Sequence, residues 1–121
     1  MKRRPHRILS IGHSYCVALN RRLAHEIARA GGADWEVTAV APAFFHADFG
    51  AMACERFTGE SCRLEAIPAY MTGRIHLFVY GRRLHELLRE NCDLVHCWEE
   101  PYILAGAQTA WWTPRDVPFV F

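Results

Sequence analysis

The chain has no C-x-x-C pair, and its cysteines are odd in number: Cys16, Cys54, Cys62, Cys92 and Cys97. Both facts argue against a ribbon-type zinc site and against a disulfide framework. Cys16, Cys92 and Cys97 fall in or beside apolar segments, where a free cysteine behaves as a small hydrophobe. A reducing, cytoplasmic setting is therefore expected. No apolar run reaches the roughly 18 residues that a membrane span needs. Ile8-Leu9-Ser10-Ile11 is too short for a signal-peptide core. The net charge is only +1, without the basic excess of a general nucleic-acid binder. The one basic cluster, Lys2-Arg3-Arg4 with His6 and Arg7, reads as a solvated tail, although it could touch phosphates or anionic lipid peripherally. Internal repeats and low-complexity segments are also lacking, and 121 residues suit one domain with one core.

What is there alternates between strand and helix. Residues 7–12 form a first strand with Ile8, Leu9 and Ile11 apolar, a pattern suited to burial on both faces. Gly12-His13-Ser14-Tyr15 makes the following turn, with Gly12 free to take φ > 0 and Ser14 placed as a helix N-cap. Cys16, Leu19, Leu23 and Ile27 recur at helical spacing over residues 15–30, with Asn20, Arg21, Arg22 and Glu26 on the wet side. Gly31-Gly32 stops that helix. Residues 35–41 are a second strand. The stretch 43–62 holds Phe44, Phe45, Phe49 and Phe57 without clean periodicity, and is expected to be a functional loop or to contain a short helix. Residues 63–67 form a third strand and Tyr70 to Gly73 a turn. Residues 75–91 follow as a helix burying Leu77, Phe78, Leu84, Leu87 and Leu88. Residues 94–97 are a fourth strand. Pro101 opens a helix to residue 112 that carries Tyr102, Leu104 and Ala105 inward, and residues 117–121 begin a fifth strand.

Strands alternating with helices predict an α/β, Rossmann-like, doubly wound parallel sheet of about five strands with helices on both faces. Right-handed crossovers make strands 1 and 4 central neighbours. Their carboxyl ends then meet at the topological switch point, bringing Gly12, His13, Ser14 and Tyr15 beside His96, Cys97, Trp98, Glu99 and Glu100. Two imidazoles, two carboxylates, a hydroxyl and aromatic rings in one cleft suit a polar, oxygen-rich ligand such as a sugar. Each has a plainer reading. His96 could be a hydrogen-bonded core histidine, the carboxylates could serve the helix dipole, and Gly12 could only shape its turn. No G-x-G-x-x-G or H-E-x-x-H is present, so neither a dinucleotide nor a metal is expected. A nucleophilic Cys97 is disfavoured by its apolar surroundings.

The opening Arg7-Ile8-Leu9-Ser10-Ile11-Gly12, the helix to Gly31 and Trp35-Glu36-Val37-Thr38-Ala39-Val40-Ala41-Pro42 resemble the start of family 4 retaining glycosyltransferases. More specifically, His76-Leu77-Phe78-Val79-Tyr80, then Asp93-Leu94-Val95-His96-Cys97-Trp98-Glu99-Glu100-Pro101-Tyr102 and Ala105-Gly106-Ala107-Gln108 are similar to the acceptor-side domain of that family. The resemblance implies a GT-B enzyme of two Rossmann-like domains, with the acceptor bound mainly here. A C-terminal domain would carry the Glu-x7-Glu motif and the nucleotide-sugar, and nothing in this chain matches it. Sugar would pass from a nucleotide-sugar donor to a glycan, lipid or small-molecule acceptor, without a bound metal or other cofactor. By resemblance, His96 and Glu100 are the catalytic candidates. Gly12, near the donor sugar and phosphate, joins His13, Ser14, Tyr15, Trp98 and Glu99 as substrate-binding candidates. Many members read His-x-His at the fourth strand; here Trp98 stands at the second of those positions.

Phe119 and Phe121 lack a cover in this chain, so the whole of residues 1–121 is expected to be a truncated N-terminal domain with little activity by itself. The rival reading is a stand-alone flavodoxin-like or receiver-like binding module, or a protein-interaction domain docking through Phe119-Val120-Phe121. A receiver would carry an acidic cluster after strand 1, where this chain has Gly12-His13-Ser14.

Overall fold

The computed structural model describes residues 2–47 and 50–121. In chain order the elements are His6–Ile11 (β1), a 3-10 turn at His13–Cys16, Arg22–Gly31 (α1), Trp35–Pro42 (β2), Phe44–Ala47 (β3), Gly50–Ala53 (β4) and Arg63–Ile67 (β5). There follow Ala69–Tyr70 (β6), Val79–Tyr80 (β7), Arg82–Leu88 (α2), Leu94–Cys97 (β8), Leu104–Trp112 (α3) and Phe119–Val120 (β9). Five of the strands form a parallel sheet in the order β5-β2-β1-β8-β9. This is the expected α/β, Rossmann-like arrangement. β1 lies at the centre because its apolar residues are covered on both faces, with Ile8, Leu9 and Ile11 all buried. α1 packs against β2, and α2 and α3 pack against each other. Right-handed crossovers in opposite directions from β1 place them on opposite faces.

The fourth predicted strand is found where expected, with Ile11 opposite Cys97 and Ser10 opposite His96. Other elements differ. The helix expected over 15–30 is split. The 3-10 turn ends at Cys16, and α1 begins only at Arg22. Leu19 is 73 % exposed and Leu23 39 %, while Ala24 and Ala28 face the sheet. Small side chains let the helix approach the strands closely. Arg21, assigned to the wet side, is fully buried. Gly31-Gly32 does end α1. Gly32 has φ 54°, and a Cβ on Gly31 would stand 2.4 Å from that of Trp35.

The helix expected over 75–91 is shortened to α2. Val79–Tyr80 instead pairs antiparallel with Ala69–Tyr70, where a turn had been expected. Gly81 then caps the start of α2. Leu77 is exposed, while Phe78, Leu84, Leu87 and Leu88 are buried. Pro101 lies in a turn before α3, whose N-cap is Ile103. Tyr102 and Leu104 point to solvent, and Ala105 points inward. Among its described residues, the stretch 43–62 holds paired strands and no helix. Phe44–Ala47 and Gly50–Ala53 pair as an antiparallel ribbon. Phe45 is buried and Phe57 exposed, while Phe49 lies outside the described residues. The basic cluster is tied down rather than free: Arg4 grips both oxygens of Asp93 at 2.9 and 3.0 Å, the Arg7 backbone N–H donates to Asp93 Oδ2 at 2.8 Å, and the Arg7 guanidinium reaches the Glu90 carbonyl at 3.3 Å.

Candidate functional site

The carboxyl ends of β1 and β8 meet as their adjacency requires. Trp98 N–H donates to the Ile11 carbonyl at 2.6 Å, continuing the ladder one residue past β8. The chain after β1 turns away at Gly12, whose φ of −170° is extended. Its conformation therefore does not call for glycine, contrary to the expectation of φ > 0. Its lack of a side chain does matter, since a Cβ would sit 3.0 Å from Cβ of Trp98. Ser14 is not the N-cap of a helix. Gly12 caps the 3-10 turn, and Ser14 Oγ is buried without a hydrogen-bond partner among the described residues.

The tightest polar group in this region is centred on Glu99. Its side chain is inaccessible to solvent, so its charge must be met by donors. Oε1 accepts the His13 backbone N–H at 2.6 Å and the Tyr80 hydroxyl at 2.8 Å. Oε2 accepts from His13 Nδ1 at 2.5 Å. His13 is held further by stacking on Phe45 at 5.2 Å and an edge contact with Phe78 at 5.6 Å. Nδ1 is committed to Glu99, and the ring keeps part of its surface in solvent. Burial disfavours the imidazolium. The hydrogen bond and charge of Glu99, with a smaller contribution from the charge of Glu100, outweigh it and raise the His13 pKa above the ordinary histidine value. Tyr80 goes the other way from reactivity. Complete burial and the adjacent Glu99 charge push its phenol well up, so it remains a neutral donor.

A third layer positions Tyr80. Its backbone N–H donates to Gln108 Oε1 at 2.8 Å, and Gln108 Nε2 donates to its carbonyl at 2.7 Å. One continuous chain of bonds thus runs from α3 through β7 to Glu99 and the turn after β1. α3 approaches Glu100 so closely that a Cβ on Gly106 would lie 2.7 Å from the Glu100 carbonyl oxygen.

A second buried network adjoins the first. Ser10 Oγ lies 2.6 Å from the Tyr15 hydroxyl and 2.7 Å from His96 Nδ1. Tyr15 is fully buried. Burial lowers the His96 pKa, favouring the neutral ring. Trp98 is half exposed, with its ring 5.5 Å from that of His96. Glu100 is exposed, and among the described residues its carboxylate has no hydrogen-bond partner.

Of the residues singled out from the sequence, the structure joins His13 directly to Glu99. It places His96 and Tyr15 together through Ser10, and lays Trp98 over Gly12. It does not join Glu100 or the Ser14 hydroxyl to either network. Tyr80, Gln108, Ser10 and Phe45 are participants that sequence reasoning assigned no role. The β-branched and aromatic run Phe78-Val79-Tyr80 before Gly81 is a compositional signal for a short strand ending at the site, though it carries no period.

Among the described residues, no group of three or more His, Cys, Asp or Glu side chains could hold a metal ion, and no helix is long and apolar enough to cross a membrane. A groove of about 600 Å³ lies elsewhere, between the start of α1 and residues 55–60. Leu19, Arg22, His25 and Phe57 line it, and none of the candidate site residues does. The fold and the polar cluster at its switch point define an α/β protein of Rossmann-like form with a candidate ligand site at the strand ends. No protein-family model, curated protein or solved structure matches this chain.

Proposed function

We propose that the chain serves glycosyl transfer, as the acceptor-side domain of an enzyme that moves a sugar from a nucleotide-sugar to a glycan, lipid or small-molecule acceptor. The observation that carries this reading is the buried Glu99 holding His13 at the open ends of β1 and β8. That is the switch point where sheets of this kind bind ligands. Trp98 is exposed beside Gly12 and His96, and an aromatic face beside polar groups suits a sugar's apolar ring face and its hydroxyls. The sequence resemblance through residues 93–108 supports the same reading. His13 then acts as a hydrogen-bonding group toward substrate oxygen, with Glu99 and Tyr80 fixing its ring. Recognition of the donor's diphosphate would fall to a second domain.

The test is an assay of the native polypeptide, as made in its source cells, against a panel of nucleotide-sugars and acceptors. Transfer from one donor, reduced about 100-fold or more by His13→Ala and unchanged by Trp111→Ala on the exposed face of α3, supports the reading. No transfer from any donor, or transfer indifferent to His13→Ala, contradicts it.

A further inference from the structure

Three of the five cysteines converge away from the strand-end site, around the fully buried Arg21. Cys16 closes the 3-10 turn, Cys54 follows β4, and Cys62 precedes β5. The turn and the ribbon are joined directly, since Glu55 N–H donates to the Cys16 carbonyl at 2.8 Å and Cys54 N–H to the Ala43 carbonyl at 2.9 Å. Cys16 Sγ in turn lies 3.1 Å from the Pro42 carbonyl. Arg21 Nη1 binds the Tyr15 carbonyl at 2.6 Å and reaches to 3.9 Å from Cys54 Sγ. Cys54 is the only one of the three that is not buried. A partly exposed thiol beside a guanidinium, with a second cysteine on a segment hydrogen-bonded directly to its own, has the makings of a reactive and resolving pair.

We propose that Cys54 is an oxidation site for hydroperoxides and that Cys16 resolves it, forming a Cys16–Cys54 disulfide. In the first step the Cys54 thiolate attacks a peroxide oxygen. The S–O bond forms as the O–O bond breaks, and the departing hydroxide takes up a proton. In the second, the sulfur of Cys16 attacks the sulfenic sulfur. The S–S bond forms, the S–O bond breaks, and the hydroxyl leaves as water with the Cys16 proton. Two thiols and one hydroperoxide give a disulfide and two waters, or water and an alcohol from an organic peroxide. The environment favours this order of attack. The neighbouring Cys16 thiol lowers the Cys54 pKa to about 7, and Arg21 and Arg56 assist against burial and the charge of Glu55. Cys16 itself is raised by that same contact and by burial, and Cys62 is raised to about 11, chiefly by burial.

The crosslink has a structural consequence that does not depend on the glycosyl-transfer reading. Cys16 ends the turn that begins at His13, and the ribbon bearing Cys54 supplies Phe45, on which His13 stacks. Oxidation ties the segment that carries His13 to the segment that covers it.

The experiment is hydrogen peroxide treatment of the folded protein, alkylation of remaining thiols, and mass spectrometry of the peptides. The proposal expects a Cys16–Cys54 linkage reversed by dithiothreitol, with Cys54 consumed at least about 10-fold faster than buried Cys97. In Cys16→Ser, Cys54 should persist as a sulfenic acid that dimedone traps. Rate measurements on the unmodified protein stand even where Cys16→Ser folds poorly. Cys54 reacting no faster than Cys97, or a linkage from Cys54 to any cysteine other than Cys16, overturns the proposal.

Discussion

Two buried pairs hold this molecule's irregular segments, and they differ in one chemical respect. Glu99 binds His13 and joins the ends of β1 and β8. Glu60 binds Arg21 at 2.8 Å and, through the same guanidinium, fastens the Tyr15 and Glu55 carbonyls. Each unites residues far apart in sequence, and in each one member is sealed from solvent. The guanidinium is charged at every relevant pH, so the second pair persists through neutral pH and yields only in acid, when Glu60 is protonated. The imidazole titrates near neutrality, so the first pair can change state where a ligand or pH acts. A pair that persists through neutral pH suits a clamp, and a pair that titrates there at an open strand end suits a site.

The largest expected effect breaks the clamp. Arg21→Met leaves Glu60 without its cation and two carbonyls without their donor. It should cost about 3–5 kcal/mol, read as a lowered midpoint in urea denaturation at neutral pH. A loss under about 1 kcal/mol would mean that the two pairs do not differ as described. A smaller effect separates the pairs by pH. Glu60 is lowered, first by the Arg21 hydrogen bond. Its contribution is therefore present above the unfolded carboxylate value and disappears as pH falls through the folded one. His13 is raised. Its contribution is complete below the unfolded histidine value and declines as pH rises through the folded one. Denaturation midpoints from about pH 2 to about pH 9 should therefore show an acid limb removed by Glu60→Gln and an alkaline limb removed by Glu99→Gln. If either variant removes the opposite limb, the assignment of charge states is wrong.

The two pairs were also unequally legible in the sequence. The parallel sheet and the meeting of strands 1 and 4 follow from apolar runs separated by helical periods, a signal spread over many residues. His13 and Glu99 could be placed in one cleft because topology alone brings them there. Their bond could not, nor could the preference for Glu99 over the adjacent Glu100, because a single residue's rotation past β8 decides which carboxylate turns inward. Tyr80 was hidden inside an apparent helix. Leu77, Phe78, Leu84, Leu87 and Leu88 fit a helical stripe, while the Val79–Tyr80 pairing with Ala69–Tyr70 is a two-residue match that no period reveals. Arg21 was misplaced for a related reason. On an unbroken helix its position would face water, but the chain turns between Val17 and Arg21, which carries the guanidinium inward to the Tyr15 and Glu55 carbonyls, acceptors that need a donor. Short polar contacts between distant segments leave little trace in one sequence, and this molecule's chemistry is made of them.

The central claim is that Glu99 holds His13 as a readily protonated, oriented ring at the ends of β1 and β8. Its most direct test is an NMR titration of the His13 imidazole in the unmodified protein and in Glu99→Gln. The account predicts a His13 pKa above the ordinary value of about 6.5, with Nδ1 carrying the proton throughout, and a fall in that pKa in Glu99→Gln. A His13 that titrates at or below the ordinary value, or one that Glu99→Gln leaves unmoved, would contradict it.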